Sequence, residues 1–184
     1  MSEKIERLLE LLKRDSYQKR NIVLASGEQS EHYIDCKKTV LSGEGHVLVG
    51  KHIAMALQGK GPFDACAGVA LGGCALASAV SMWEFLAYQC HMPALYVRSE
   101  AKDHGTRAMI EGPAIKGNKV VLLEDVITTG GSSLKAIKLL REGGFDVQLV
   151  VCLIDREAGG PEMLLADAGV KVESLFRLQD FIDA

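Results

Sequence analysis

The chain of 184 residues carries only five cysteines, an odd number, and no two stand in Cys-x-x-Cys spacing. Cys36, Cys66, Cys74, Cys90 and Cys152 are scattered, which argues against a disulfide framework and a zinc site and fits a reducing cytoplasm. An excess of basic charge is also lacking. With 21 Lys and Arg against 24 Asp and Glu the net charge is -3, and no Lys/Arg run marks a polyanion-binding face, so nothing favours nucleic acid as a partner. The N-terminal stretch MSEKIERLLELLKR carries charges throughout its apolar repeat. It therefore reads as an amphipathic helix, neither a signal peptide nor a membrane span. Two nucleotide fingerprints are missing as well: no Gly-x-x-x-x-Gly-Lys-Ser/Thr occurs, and no Gly-x-Gly-x-x-Gly follows a strand. Internal repeats, low-complexity tracts and interdomain linkers are lacking too, and a hydrophobic fraction of 48% is enough to bury one full core.

What is present is concentrated in VVLLEDVITTGGSS, Val120 to Ser133. Val120 to Leu123 form the continuous apolar run of a central parallel strand, and Leu134, Ile137, Leu139 and Leu140 repeat at helical spacing beyond a short turn. The turn thus joins a strand's carboxyl end to a helix start. Thr128, Thr129, Gly130, Gly131, Ser132 and Ser133 offer hydroxyls and uncrowded N–H groups at the positive end of a helix dipole, which suits a phosphate dianion. Glu124 and Asp125 cannot bind that phosphate; carboxylates beside an anion site call for cations or sugar hydroxyls. Together the two halves describe a phosphorylated ribose. Alone, each half would be a tight turn or a solvated acid pair, and it is their fixed order that restricts the reading.

The rest of the chain alternates in type. Ile5, Leu8, Leu9 and Leu12 stripe the first helix, and Ile22 to Leu24, Ala25-Ser26-Gly27 and Tyr33 to Asp35 suggest a hairpin-like subdomain beside the main sheet. A helix over about 43–57, a strand from Phe63 to Val69, the turn Ala70-Leu71-Gly72-Gly73 and a helix from Cys74 to Tyr88 follow. Ala94 to Val97 is a short strand, and Arg98 to Arg107 has no apolar period and reads as a long mobile loop. Strand Val120 to Leu123 with helix Ser132 to Glu142, strand Val147 to Ile154 with a helix from Pro161 to Ala168, and a last strand near Val170 to Leu175 complete the series. Such alternation predicts an α/β fold: a doubly wound, mostly parallel sheet flanked by helices, binding ligands at the strands' carboxyl ends where the order reverses. One domain is expected, with about 1–42 as an N-terminal hood and about 43–184 as the core.

The Glu-Asp-Val-Ile-Thr-Thr-Gly segment resembles the donor signature of type I phosphoribosyltransferases. With Pro93 to Arg98, the loop Glu100-Ala101-Lys102-Asp103-His104-Gly105, and Asp155-Arg156-Glu157, the region from about Tyr17 to Leu178 is similar to the orotate phosphoribosyltransferase family. The resemblance implies a homodimer in which the loop of one subunit covers the site of the other, with Lys102, His104 and Asp125 as catalytic residues. It places Arg98, Ser99, Lys102 and His104 on the diphosphate, and Glu124, Asp125, Val126, Ile127, Thr128, Thr129, Gly130, Gly131 and Ser132 around the ribose 5-phosphate. Thr128 and Arg156 would face the base. Ser99 stands where the family commonly has lysine, and Ala25 where some members do, so positive charge is lower here.

The implied reaction is Mg²⁺-dependent transfer of ribosyl 5-phosphate from phosphoribosyl diphosphate to N1 of orotate, a step of pyrimidine biosynthesis. Mg²⁺ favours hard oxygens and keeps waters, so the diphosphate and ribose hydroxyls would carry it without a dedicated protein cage, assisted by Glu124 and Asp125. Arg156 would pair with the orotate carboxylate, its plain alternative being an ion pair with Asp155 or Glu157. Competing functions are a transferase for uracil or a purine, and a non-catalytic sensor of phosphoribosyl diphosphate. A sensor has little need of the Lys102 and His104 loop, and a purine enzyme none of Arg156.

Overall fold

Uninterrupted apolar runs such as 120–123 can be buried on both sides only inside a sheet covered by helices on each face. The computed structural model describes residues 3–23, 27, 29–98, 108–113 and 115–182, with residues 3 and 4 through their backbone. Helix α1 (Glu3–Leu11) continues into a π-helical turn (Leu12–Ser16) and then the antiparallel hairpin of β1 (Tyr17–Val23) and β2 (Gln29–Ile34). Next come α2 (Lys37–Val40), α3 (Gly43–Leu57), β3 (Ala65–Val69), α4 (Gly72–Tyr88), β4 (Ala94–Val97) and β5 (Ile110–Glu111). The chain then runs through β6 (Lys119–Ile127), α5 (Gly131–Glu142), β7 (Asp146–Asp155), α6 (Gly160–Ala168), β8 (Lys171–Arg177) and α7 (Gln179–Ile182).

The hairpin forms its own two-stranded sheet, while the other six strands lie in the order β5-β4-β3-β6-β7-β8. All pairings in the larger sheet are parallel except that of the edge strand β5. Chain order reverses between β3 and β6, so a crevice opens at their carboxyl ends. Alternation sends Val121, Leu123, Val151 and Leu153 to one face, where they meet Leu8 of α1, Ile53 of α3, Leu76 and Val80 of α4 and Phe181 of α7. Val120, Leu122, Val150 and Cys152 point the other way, onto Ile137 and Leu140 of α5 and Leu164 of α6. The doubly wound expectation therefore holds.

Several boundaries differ from the sequence reading. β6 does not stop before the acids but runs on through both, because it is paired on the β7 side as far as Ile127↔Asp155. α4 begins at Gly72, so the glycine pair expected as a turn is already its first turn. β5 and the short α2 and α7, which are too brief to carry a period, were not expected from the pattern. Among the described residues no helix is long and apolar enough to cross a membrane.

Candidate active site

The loops after β3 and β6 are drawn together by missing side chains. A Cβ on Gly73 would lie 2.5 Å from the Leu123 carbonyl oxygen, one on Gly68 would strike the Gly73 carbonyl, and one on Gly72 would enter the Asp125 carboxylate. Glycine at these three positions lets the β3–α4 connection rest directly on the acidic end of β6. The peptide between Ala70 and Leu71 in this connection is cis, and Leu71 is exposed.

Beyond β6 the chain turns at Gly130, whose φ of 80° favours glycine and whose would-be Cβ would also lie 3.1 Å from the Gly160 carbonyl oxygen. Gly131 opens α5, and around its would-be Cβ the nearest neighbour is Thr129 Oγ1 at 4.0 Å, so the approach to the first-turn amides is clear on that side. Those amides lack acceptors within the helix, and the dipole of a twelve-residue helix adds positive potential, so the turn can hold a phosphate dianion. A cleft of about 810 Å³ lies here, with Thr128 to Ser132, Arg98, Lys135 and Lys138 in its walls.

The two acids behave differently. Glu124 is buried, and its Oε1 accepts hydrogen bonds from Ser132 Oγ at 2.8 Å and Ser133 Oγ at 3.0 Å. These two hydroxyls therefore face the carboxylate, which leaves Ser132 and Ser133 their backbone N–H groups for an anion. Burial lifts the Glu124 carboxyl to about 7, the neighbouring Asp125 charge adds to the rise, and the two serines oppose it. Asp125 is also raised, first by burial, while the Val126 N–H at 3.0 Å and the charge of Lys37 hold it down. Lys37 pairs with Asp35 at 2.6 Å, which brings a cation from α2 toward the acid pair. Ser133, one of the turn hydroxyls read from the sequence, thus gives its Oγ to Glu124, and the approach of Lys37 to the acid pair is seen only in the fold.

Arg156 follows β7, and its N–H donates to the Ile127 carbonyl at 2.9 Å, next to Thr128. Its side chain is nearly buried and reaches across to the hairpin, where Nη2 donates to Ser30 Oγ and to the His32 carbonyl, each at 2.8 Å. The alternative ion pair is not formed: among the described residues no carboxylate lies within ion-pair distance of Arg156. Asp155 Oδ1 instead accepts the Glu157 N–H, and Glu157 Oε2 the Gln179 N–H. A buried guanidinium with only neutral acceptors is costly, and burial accordingly lowers its proton affinity, so the position favours an anionic ligand.

Arg98 follows β4 with its N–H on the Met109 carbonyl, and its buried Nη1, 3.8 Å from Glu111 Oε1, has no hydrogen-bond partner among the described residues. Ser99, Lys102 and His104, like Ala25 and Ser26, lie outside the described residues. Among the described residues no group of three or more His, Cys, Asp or Glu side chains gathers to hold a metal.

A phosphate turn, an acid pair and a switch-point crevice in this order define a phosphoribosyl transferase domain, and the sequence pattern of that family, described as phosphoribosyl transferase domain, matches residues 47–171. Over 179 residues the chain is 50% identical to the orotate phosphoribosyltransferase of Sorangium cellulosum (strain So ce56), covering 96% of this chain and 92% of that one. The crystal structure of orotate phosphoribosyltransferase from Aeropyrum pernix superposes with a TM-score of 0.80 at 32% identity, covering 96% of each chain. That of the Mycobacterium tuberculosis H37Rv enzyme in complex with 5-phospho-alpha-D-ribosyl 1-diphosphate gives 0.79 at 26% identity, covering 97% of this chain and 98% of that one. The chain belongs to the orotate phosphoribosyltransferase family.

Proposed function

We propose that the protein transfers the ribosyl 5-phosphate group of phosphoribosyl diphosphate to N1 of orotate, yielding orotidine 5′-monophosphate and diphosphate. The observation that carries the acceptor is Arg156, nearly buried beside the sugar-phosphate turn and opposed by no carboxylate among the described residues. Its charge answers the carboxylate that distinguishes orotate from uracil. The amides of Gly130, Gly131 and Ser132 hold the 5-phosphate, flanked by Val126, Ile127, Thr128 and Thr129, while Glu124 and Asp125 face the ribose hydroxyls.

The bond that forms joins N1 to C1′, and the bond that breaks joins C1′ to a diphosphate oxygen, which leaves with the electron pair. N1 enters as an anion, its proton already lost to solvent, so the protein needs no activated nucleophile of its own. Its work is to align the two reactants and to balance charge: Asp125 faces the cationic ribose, and Arg98 and the loop residues Ser99, Lys102 and His104 meet the departing diphosphate. Asp125 and Glu124 supply hard oxygen donors of the kind Mg²⁺ takes when its other ligands are substrate oxygens and water. When bound, Mg²⁺ neutralises the diphosphate.

The same reading includes a homodimer whose loop crosses to the neighbouring site, in keeping with the exposed Leu71, Met82, Phe85, Leu86, Tyr88 and Tyr96. Residues 1–42 act as a hood over the core of 43–184. All five cysteines are unpaired thiols, which supports a reducing cytoplasm. The test is loss of orotate absorbance with donor and Mg²⁺, run beside uracil, hypoxanthine and adenine. Turnover of orotate above all others is expected; preference for another base would overturn the acceptor assignment.

A further inference from the structure

Ser30 lies on β2, 126 residues away in sequence from the arginine it touches. Its hydroxyl has no unused valence: Oγ accepts from Arg156 Nη2 at 2.8 Å and from the His32 N–H at 3.1 Å, and it donates to the His32 carbonyl at 3.2 Å. That carbonyl is the second acceptor of Nη2, so both Nη2 hydrogens are committed and Arg156, Ser30 and His32 form a closed three-membered ring. A guanidinium is planar, and fixing one terminal nitrogen by two acceptors fixes the plane and hence the direction of Nη1 and Nε. Neither of these nitrogens forms a hydrogen bond with a described residue. The hairpin holding the ring is itself braced: Tyr17 OH lies 2.8 Å from His32 Nδ1, the two rings stack at 5.9 Å, and Tyr17 packs on Phe181 of α7.

We propose that Ser30 is a positioning residue that aims the Arg156 guanidinium at the anionic group of the acceptor base, so that discrimination for a carboxylate-bearing base depends on a hairpin hydroxyl as well as on the arginine. The inference rests on the orotate reading above. It differs from a purely structural role for Ser30 because Arg156 is anchored to the core by its own backbone bond to Ile127, and loss of the hydroxyl frees the side chain without detaching the residue.

The experiment compares wild type with Ser30→Ala, Ser30→Thr and the near-isosteric, weakly accepting Ser30→Cys, with KM measured separately for orotate and for phosphoribosyl diphosphate. Removing one charge-assisted bond is expected to raise KM for orotate by about tenfold in Ser30→Ala. The donor KM should stay within roughly twofold, since the bonds lost with the Ser30 hydroxyl run only to Arg156 Nη2 and His32. Ser30→Thr should restore orotate KM to near wild type, and Ser30→Cys should fall between. If Ser30→Ala does not fold, Ser30→Cys against Ser30→Thr decides by the same ratio. Equal orotate KM in all variants, a parallel rise in both KM values, or a threonine variant no better than alanine would overturn the inference while leaving an orotate-consuming wild type intact. A wild type that ignores orotate overturns the acceptor reading and this inference with it.

Discussion

Replacing Glu124 by Gln isolates the cost of an acid buried at the end of β6. The carboxyl is raised from an ordinary 4.5 to about 7, chiefly by burial, so the folded protein holds this proton more tightly than the unfolded chain. The sign follows directly. Below about 4.5 both states are protonated and no penalty exists; stability then falls as pH climbs toward about 7 and stays at the lower level above it. At 1.36 kcal/mol per pKa unit the full penalty is about 3 kcal/mol. Glutamine keeps the shape and an oxygen for Ser132 and Ser133 but has no charge to bury. The assay is thermal unfolding from pH 5 to pH 8.5 at fixed protein concentration. Wild type should lose Tm relative to Glu124→Gln as pH rises, by roughly 6–12 °C at the alkaline end for a chain of this size. Asp125, raised by its own burial, leaves a residual slope in both proteins. Parallel curves across the range would refute the reasoning, because they would mean that Glu124 ionises in the fold as easily as in water.

Three further outcomes are expected. Arg156→Ala should raise KM for orotate by tenfold or more, roughly the worth of a charged hydrogen bond, with little change for phosphoribosyl diphosphate; unchanged orotate kinetics would remove Arg156 from the base site. Gly72→Ala places a Cβ inside the Asp125 carboxylate and should lower kcat/KM by at least roughly tenfold through displacement of that acid, and an active variant with wild-type kinetics would count against the wedge. Lys102→Ala and Asp125→Asn should each be poorly active alone and regain activity when mixed into heterodimers, since loop and pocket would then come from different chains. Verified heterodimers without recovery would contradict the shared site.

The order of strand, acids, glycine turn and helix was legible because each part obeys a local rule: apolar runs for buried strands, glycine where φ is positive, a 3.6-residue period for α5. What local rules could not show is how side chains from distant segments change each other's environment. The strand was expected to end at Leu123 with its apolar run, yet β6 carries Glu124 inward, where Ser132 and Ser133 in the first turn of α5 supply hydroxyls to it. Arg156 was legible as a cation at a strand's carboxyl end, but the lack of a carboxylate partner, which gives it meaning, depends on Asp155 and Glu157 being occupied by backbone N–H groups. Ser30 carries no signature of its own: a serine in an alternating strand looks solvated until Arg156, just beyond β7, is seen to reach it.

The position of the bound sugar donor is decisive. A crystal structure of the protein soaked with phosphoribosyl diphosphate and Mg²⁺ should show the 5-phosphate against the N–H groups of Gly130, Gly131 and Ser132, the ribose hydroxyls at the acid pair and the diphosphate toward Arg98. Density for the donor elsewhere, with the turn between β6 and α5 filled only by water, would contradict it.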